Sequence, residues 1–457
     1  MKKIFTTLLI FCFTLLNISP AFAIISNKKE KAELEHEKTI YEYINLPWWQ
    51  GFQDENLERY IVKAIENNHD LKLATLKVEE ARQNVKVQFA NELPTLTVGA
   101  SPAISKMPGV TQTHGAFVVP VIASYEIDIF LKNHDKTKSV KKLYEASKLS
   151  EKATYISIVS AVGATYYNIV KADKLIDLQK QILNDRKEIY NLMKQRNEEG
   201  ITSTSDLVKA EKAYILAEAE LYDLEKVRTN LLTSLAVLIG DSPENINEYA
   251  RISYDKINNT KQIPEKISSE IITQRPDYLI AEKLLEKSGI DVRVAKKEFL
   301  PSFNLGGLLG VMAMTGGGPV ASMSWKNTLA GAGIMGMLPV LTGGKRIASL
   351  KIYKNRYEQA IQEYHKTNIS AIKEVNDTLS NLQIDNKKYE TNLKALNMEQ
   401  KDFGFSQDKY NEGIISYLDL IQKREMLLST EKMTADSDIN VLINQISLYK
   451  ATAASNL

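Results

Sequence analysis

Acidic side chains gather at two places in the sequence, each around a glycine. Glu198, Glu199 and Asp206 surround Gly200-Ile201, while Glu412 and Asp419 surround Gly413-Ile414. In both, the aspartate stands six residues past the glycine. Two chemistries are open to such groups. A carboxylate in the first turn of a helix is stabilised by about 0.3–1 kcal/mol. Gathered by symmetric assembly, carboxylates form a ring that attracts cations and can narrow or gate a mouth. Neither is catalysis. The histidines, His36, His69, His114, His134 and His365, do not fall at metal-ligand spacing. H-E-x-x-H, G-x-S-x-G and C-x-x-C are absent. No catalytic residue, cofactor or metal site is expected.

Two glycine-rich runs invite a nucleotide reading and fail it. Gly331-Ala332-Gly333-Ile334-Met335-Gly336 fits G-x-G-x-x-G but lies in an apolar, strand-like run followed by Pro339. No helix N-terminus then waits for a phosphate. Gly343-Gly344-Lys345-Arg346 lacks the upstream glycine and the Ser/Thr of a P-loop and reads as a turn. Five of the eleven methionines lie close together: Met312, Met314, Met323, Met335 and Met337. Thioethers are soft ligands for Cu(I), so a metal-exporting pore is conceivable. The preferred expectation is that they are apolar residues facing lipid or lying in loops.

The elements that position the acidic tips occur twice. Asn68–Gly99 and Arg275–Gly306 are similar, with Asp70, Pro94 and Gly99 matching Asp277, Pro301 and Gly306 at one offset. The two Glu-Gly-Ile tips follow at a slightly larger offset. An internal duplication of this size governs the architecture. Each copy opens with a helix, capped at Asp70 in the first, that stops at a proline. The period then changes from 3.6 to 2. Leu96, Val98 and Ala100 alternate with Thr95, Thr97 and Ser101; after a turn, 117–129 is a second strand. The second copy repeats this from Phe303 to Val311 and over 329–341. Strands of about 10–13 residues suffice to cross a bilayer at a tilt. Four cannot close a wall, and open edges are not tolerated in lipid. Two chains would pool eight strands, and three would pool twelve.

Asn133 to Glu199 contains no proline and one glycine, Gly163. Val162, Ile169, Ile176, Leu183 and Tyr190 recur every seven residues beside a second stripe, Leu175, Ile182 and Ile189. That is coiled-coil spacing with two seams, over a helix of about 100 Å. A return helix carries Ala210, Ala217, Leu224, Leu231 and Leu238. The second copy has Ile361, Val375, Leu382, Tyr389 and Leu396, then Ile421, Leu428, Ala435, Leu442 and Tyr449 on its return. A short helix and a return helix stacked end to end would lie alongside each long helix and make a tube wall.

The 457-residue chain starts with a leader pattern: Lys2 and Lys3, apolar Ile4 to Ile18, and Ala21-Phe22-Ala23 as a cleavage site. Without residues 1–23 the formal charge of +2 falls to zero, so no nucleic-acid partner is expected. The single cysteine, Cys12, lies inside the leader behind Phe11, where a lipidation signal needs a small residue, so lipidation is not expected. The expected divisions are a signal peptide 1–23, an N-terminal arm 24–53 anchored by Trp48-Trp49, and a first repeat 54–243. A linker 244–266 with an Asn258-Asn259 turn, a second repeat 267–450 and a tail 451–457 follow.

Together these residues resemble a family. The Trp48-Trp49 entry, the helix ending in Leu93-Pro94, Tyr125–Phe130, Leu338–Lys345 and the two Glu-Gly-Ile tips look like those of the outer membrane efflux proteins. These are the TolC-like outer membrane factors, in particular the branch serving resistance-nodulation-division pumps. The resemblance implies a mixed fold: long α-helices forming a periplasmic α-barrel, plus four β-strands per chain in a homotrimeric, twelve-stranded transmembrane β-barrel. It implies a passive duct, set in outer-membrane lipid, for multidrug export. The periplasmic adaptor of an inner-membrane transporter would dock on tips 196–206 and 409–419. It implies that Asp206 and Asp419 line the mouth where the helices coil inward. Two residues depart from the family pattern. Gln422 stands where a second aspartate is frequent, and Leu131 where a glycine usually follows D-x-F. Two rivals make different demands. A periplasmic adaptor would have one hairpin and a lipoyl-like domain, and a soluble helical enzyme would need a convergent polar pocket.

Overall fold

The computed structural model describes residues 40–99, 101–105, 114–244, 246–257, 264–314 and 322–454. The leader with Cys12, the arm up to residue 39, the Asn258-Asn259 pair and residues 455–457 lie outside the described residues. In order, the elements are α1 (Leu46–Gln50), α2 (Glu55–Asn67), α3 (His69–Ala90), β1 (Thr95–Val98), β2 (Ser101–Ser105), β3 (His114–Ile127), α4 (Lys132–Glu198) and α5 (Thr204–Leu238). There follow α6 (Glu270–Gln274), α7 (Pro276–Lys297), β4 (Ser302–Met314), β5 (Ser322–Met337), α8 (Lys345–Asn411) and α9 (Tyr417–Ala451). The lengths repeat: α3 and α7 have 22 residues, α4 and α8 have 67, α5 and α9 have 35.

Two compact units cut across this order. One comprises residues up to Leu71, Thr154–Ser268 and from Val375 onward; the other comprises Lys72–Ala153 and Ser269–Glu374. Each takes material from both halves of the chain.

The second unit holds one antiparallel sheet in the order β1-β3-β4-β5, with β2 also on β3. Its central pairing, Ala116↔Met314 to Ile127↔Phe303, joins the two halves of the chain. The strand expected from Thr95 is broken into β1 and β2, although both keep one register against β3. Pro120 explains the break. Gly99 N–H donates to the Pro120 carbonyl at 2.9 Å, but proline has no N–H to return the bond. β3 also ends two residues earlier than expected. Asp128 is used instead to cap α4, accepting from the N–H of Lys132 (2.6 Å) and His134 (2.8 Å). Leu131, at the turn between them, has φ 55. A left-handed residue there is the physical reason a glycine suits the position. β5 ends at Met337, ahead of Pro339, not at residue 341. The G-x-G-x-x-G run lies inside it, and Gly343 (φ 57) and Gly344 (φ 78) make the turn into α8.

The register gives the sheet two unlike faces. Leu96, Val98, Tyr125, Leu305, Leu309 and Ile334 share one; Thr95, Thr97, Ser124, Glu126, Ser302 and Asn304 share the other, together with Ile122 and Leu308.

The first unit is a helical core. Asp54 caps α2 as expected, accepting from the N–H of Asn56 and Leu57. The cap of α3 is Asn68, not Asp70: Asn68 Oδ1 accepts from the N–H of Asp70 (2.8 Å) and Leu71 (3.0 Å). Asp70 takes the first turn instead, and an asparagine two residues earlier places its oxygen on N2 and N3. Trp48 stacks on Tyr449 at 4.3 Å, and Trp49 is buried beside it. A Cβ on Gly163 would come within 2.5 Å of the Trp49 ring, so the helix needs glycine where the indole seats. Asn45 Nδ2 donates to the Ala454 carbonyl at 3.0 Å, so residues from both ends of the chain meet here. The heptad reading holds best on α9, where Ile421, Leu428, Ala435, Leu442 and Tyr449 are all buried. On α4, Val162, Ile169 and Ile176 are buried, while Leu183 and Tyr190 are half-buried.

Candidate functional site

Both tips lie in the helical unit, and both are built the same way. α4 ends at Glu198, Gly200 takes φ 72, and Ile201 N–H donates to the Arg196 carbonyl at 2.8 Å. α8 ends at Asn411, Gly413 takes φ 76, and Ile414 N–H donates to the Lys409 carbonyl at 2.8 Å. This six-to-one bond over a left-handed glycine is the Schellman ending, and it satisfies carbonyls the helix would otherwise orphan. Ile201 (61 % exposed) and Ile414 (64 %) are thereby presented to solvent. Glu198, Glu199 and Glu412 are exposed beside them, and Glu199 accepts from Gln195 Nε2 at 3.0 Å.

The two aspartates are cap residues. Ser203 caps α5: its hydroxyl accepts from Asp206 N–H and donates to Asp206 Oδ2 at 2.7 Å. Ser416 caps α9 identically, and its own N–H also donates to Asp419 Oδ2 at 3.1 Å, completing a capping box. The serine hydrogen bonds hold both carboxyls below the usual aspartate range, and Lys209, 3.0 Å from Asp206, adds to this in the first tip. Both carboxylates remain solvent-exposed. The helix-end role is therefore met in full by geometry, and the charges stay available for a second one.

Above the tips, side chains tie α4 to α9. Lys171 pairs with Asp436 (3.1 Å), Lys432 donates to Gln179 Oε1 (2.9 Å), and Arg186 pairs with Glu425 (3.2 Å). Nearer the tip, Tyr417 donates to Glu188 Oε2 at 2.8 Å. Sequence reasoning missed the most unusual member. Asp185 is completely buried, and neither of its oxygens accepts a hydrogen bond. Its compensating charge is Arg424, 3.3 Å away and itself 43 % exposed. Burial pushes the Asp185 carboxyl up to about 6, against the opposing pull of Arg424. Its position three residues past Ile182, on the second stripe, was the available signal: an acid in a seam.

Strand register locates the methionines of β5. Met335 is paired with Asn304, and Met337 with Ser302, so both positions belong to the polar face of the sheet. Positions 312 and 314 share the parity of Asn304 on β4, while 323, paired with Ala313, has the opposite parity. Both lie in β5, so a loop placement does not hold for Met335 and Met337. Strand register, which composition does not reveal, decides their face. Among the described residues, no group of three or more His, Cys, Asp or Glu side chains could hold a metal ion.

With this geometry in hand, comparison with known proteins is direct. The cation efflux system protein CusC of Escherichia coli K12 is 27% identical over 419 residues, covering 90% of this chain and 89% of its own. The toluene efflux pump outer membrane protein TtgC of Pseudomonas putida is 25% identical over 418 residues, covering 88% of this chain and 84% of its own. The fold is shared with the Campylobacter jejuni CmeC outer membrane channel, at a TM-score of 0.81 and 24% identity, over 89% of this chain and 87% of that one. The family profile of the outer membrane efflux proteins matches residues 60–241 and 267–454, and the chain belongs to that family.

Proposed function

We propose that the chain forms, as a homotrimer, the outer-membrane exit duct of a tripartite export system. Substrate enters from an inner-membrane transporter through a periplasmic adaptor and leaves passively, with no catalytic step. Residues 1–23 serve as an export leader, and the two halves of the mature chain are duplicated repeats. The observation that carries this reading is the sheet. Among the described residues its order leaves the outer edge of β1 and the outer edge of β5 without a neighbour, and one face is apolar while the other carries most of the polar side chains. An apolar face fits outer-membrane lipid and a polar face fits a lumen. Edges in lipid must be closed by further strands. Three copies, with β1 and β2 counted as one interrupted strand, would supply a closed wall of about twelve.

The helices support the same assembly. Val208, Ile215 and Tyr222 form an exposed stripe at heptad spacing on α5; Ile384, Met398 and Phe405 form another, at spacings of fourteen and seven, on α8. Within the chain α4 meets α9, so α5 and α8 are the outer members of their hairpins, and a second copy would cover such stripes.

The tips take two roles in this reading. Ile201 and Ile414, set by Gly200 and Gly413, offer apolar contacts to the adaptor. Asp206 and Asp419, with Glu198, Glu199 and Glu412 nearby, would form carboxylate rings at a mouth that the Glu188–Tyr417 link holds shut. An adaptor would carry a single hairpin, whereas this chain has two. The cargo is not selected by likeness, since the relatives' names include both a cation and toluene.

The test is reconstitution in planar bilayers after purification in detergent. A trimer with measurable conductance is expected, and Asp206→Asn with Asp419→Asn, which keeps the cap acceptor and removes the charge, should raise conductance or relieve block by cations. A monomer soluble without detergent would overturn the duct, and unaltered block would overturn the gate.

A further inference from the structure

The helix ends that adjoin the sheet carry a charge pattern that a passive duct does not need. Lys345–Arg356, at the start of α8, holds five cations and no acid. Lys132–Lys142, at the start of α4, holds five lysines and one acid, and Asp291–Glu298, at the end of α7, three cations and two acids. The chain without its leader is neutral, so this is a local excess. The three ends lie side by side. Lys142 pairs with Glu286 at 2.7 Å and Lys297 donates to the Leu131 carbonyl at 3.1 Å, joining α4 to α7. A Cβ on Gly289 of α7 would lie 3.5 Å from the Tyr357 ring of α8. The acids present are already engaged: Asp135 by Lys297 (2.7 Å), Glu298 by Lys136 (3.5 Å) and Asp291 by Lys287 (2.7 Å). Lys138, Lys141, Lys296, Lys345, Lys351 and Lys354 are exposed and form no ion pair among the described residues.

The helices gain nothing from this placement. A cation in the first turn opposes the helix dipole, yet Lys345 and Arg346 open α8. Among the described helices longer than five residues, α8 alone has no acid in its first turn. Like charges gathered in one place repel, and an external anion relieves them. Toward the sheet the cations give way to apolar surface. Val340 and Leu341, between β5 and α8, are 88 % and 93 % exposed, and Ile129 and Leu131 are exposed between β3 and α4. Apolar side chains at the strand ends, then lysines within about 15 Å along the helices, follow the order of a lipid leaflet. Hydrocarbon comes first, then a headgroup layer of about 5–8 Å, beyond which attraction to charged headgroups decays over about 8 Å.

We propose that the adjoining ends of α4, α7 and α8 form a basic collar that binds anionic phospholipid headgroups in the leaflet bordering the helices, with Lys138, Lys296 and Lys345 as its principal contacts. The phosphodiester supplies the missing negative charge, and acyl chains cover Val340 and Leu341. This rests on the reading of the sheet as a wall in outer-membrane lipid.

The experiment places the full-length oligomer in phosphatidylcholine vesicles. Spin-labelled phosphatidylglycerol and spin-labelled phosphatidylcholine are the probes, and the ratio of their association constants at the protein surface is read. The wild type should favour phosphatidylglycerol by about threefold or more, and about 0.5 M KCl should erase the preference. Lys138→Gln/Lys296→Gln/Lys345→Gln should bring the ratio to about one. Lys387→Gln/Lys394→Gln/Lys401→Gln, on exposed positions of α8 in the other compact unit, should leave it unchanged. A wild-type ratio near one, as expected if a neighbouring copy covers these lysines, overturns the proposal. So does a preference that survives salt, or an equal loss in both triple variants. Should the first variant not assemble, the salt dependence of the wild type decides the matter. Potassium conductance of the wild type is recorded in parallel. A conducting protein without the lipid preference loses only this inference, whereas a non-conducting one loses the channel reading.

Discussion

Asp185 makes a quantitative prediction, because two opposing effects meet on one side chain. Its carboxylate is fully buried with no hydrogen bond, which disfavours charge, and Arg424 at 3.3 Å favours it. Burial wins, since the carboxyl is raised from 3.8 to about 6. A group whose pKa is higher folded than unfolded contributes stability below its unfolded value, and that contribution is lost as pH rises through the folded value. The window is therefore pH 3.8 to about 6. Above it, the packed α4–α9 contact carries a penalty on the order of 3 kcal/mol, taking 1.36 kcal/mol per pKa unit. Asp185→Asn removes the charge and keeps the size. It leaves only Arg424 unmatched, and that side chain reaches solvent, so the usual cost of breaking a buried pair is small here. The substitution should strengthen local packing at pH 7. Native-state hydrogen exchange of amides in 182–188 and 421–428, corrected for intrinsic rates, reads this directly. Protection at pH 7 should rise by up to about a hundredfold over wild type, and the two proteins should converge near pH 4. Loss of protection at pH 7 would refute the reasoning, since it would mean the Arg424 pairing outweighs desolvation.

Two further substitutions probe the fold. Gly163→Ala places a methyl 2.5 Å from the Trp49 ring and should cost about 1–3 kcal/mol despite alanine's better helix propensity. Thermal melting followed by tryptophan fluorescence measures it, and an unchanged midpoint would show that the indole can move aside. Leu131→Gly relieves a residue held at φ 55. It should stabilise by up to about 1 kcal/mol, the left-handed penalty less glycine's entropic cost. A lower melting temperature would mean the leucine side chain contributes more than its backbone costs.

Much of the site was legible in the sequence because its signals are local. Gly200 and Gly413 end helices because no other residue takes positive φ as cheaply; that Ser203 and Ser416 restart them came from the structure, where each hydroxyl reaches a free N–H group. Asp206 and Asp419 could be found from their spacing, although their engagement as cap partners emerged only from the hydrogen bonds. Asp185 was not found. A charged helix of this length has many acids, and which of them is buried depends on the helix that packs against it.

The sequence by itself determined which elements occur and, within a few residues, where most of them stop. Pro94 and Pro301 stop helices, heptads of apolar residues mark α4 and α9, and alternation marks the strands; each acts over a few residues through backbone sterics or side-chain period. The tertiary structure alone decided how those elements are grouped. The compact units mix the two halves because β3 pairs with β4 and α4 packs on α9, contacts between residues far apart in the chain. It alone fixed the Asn304–Met335 register, and with it the face on which the methionines lie, since a slip of one residue would turn every side chain to the other side.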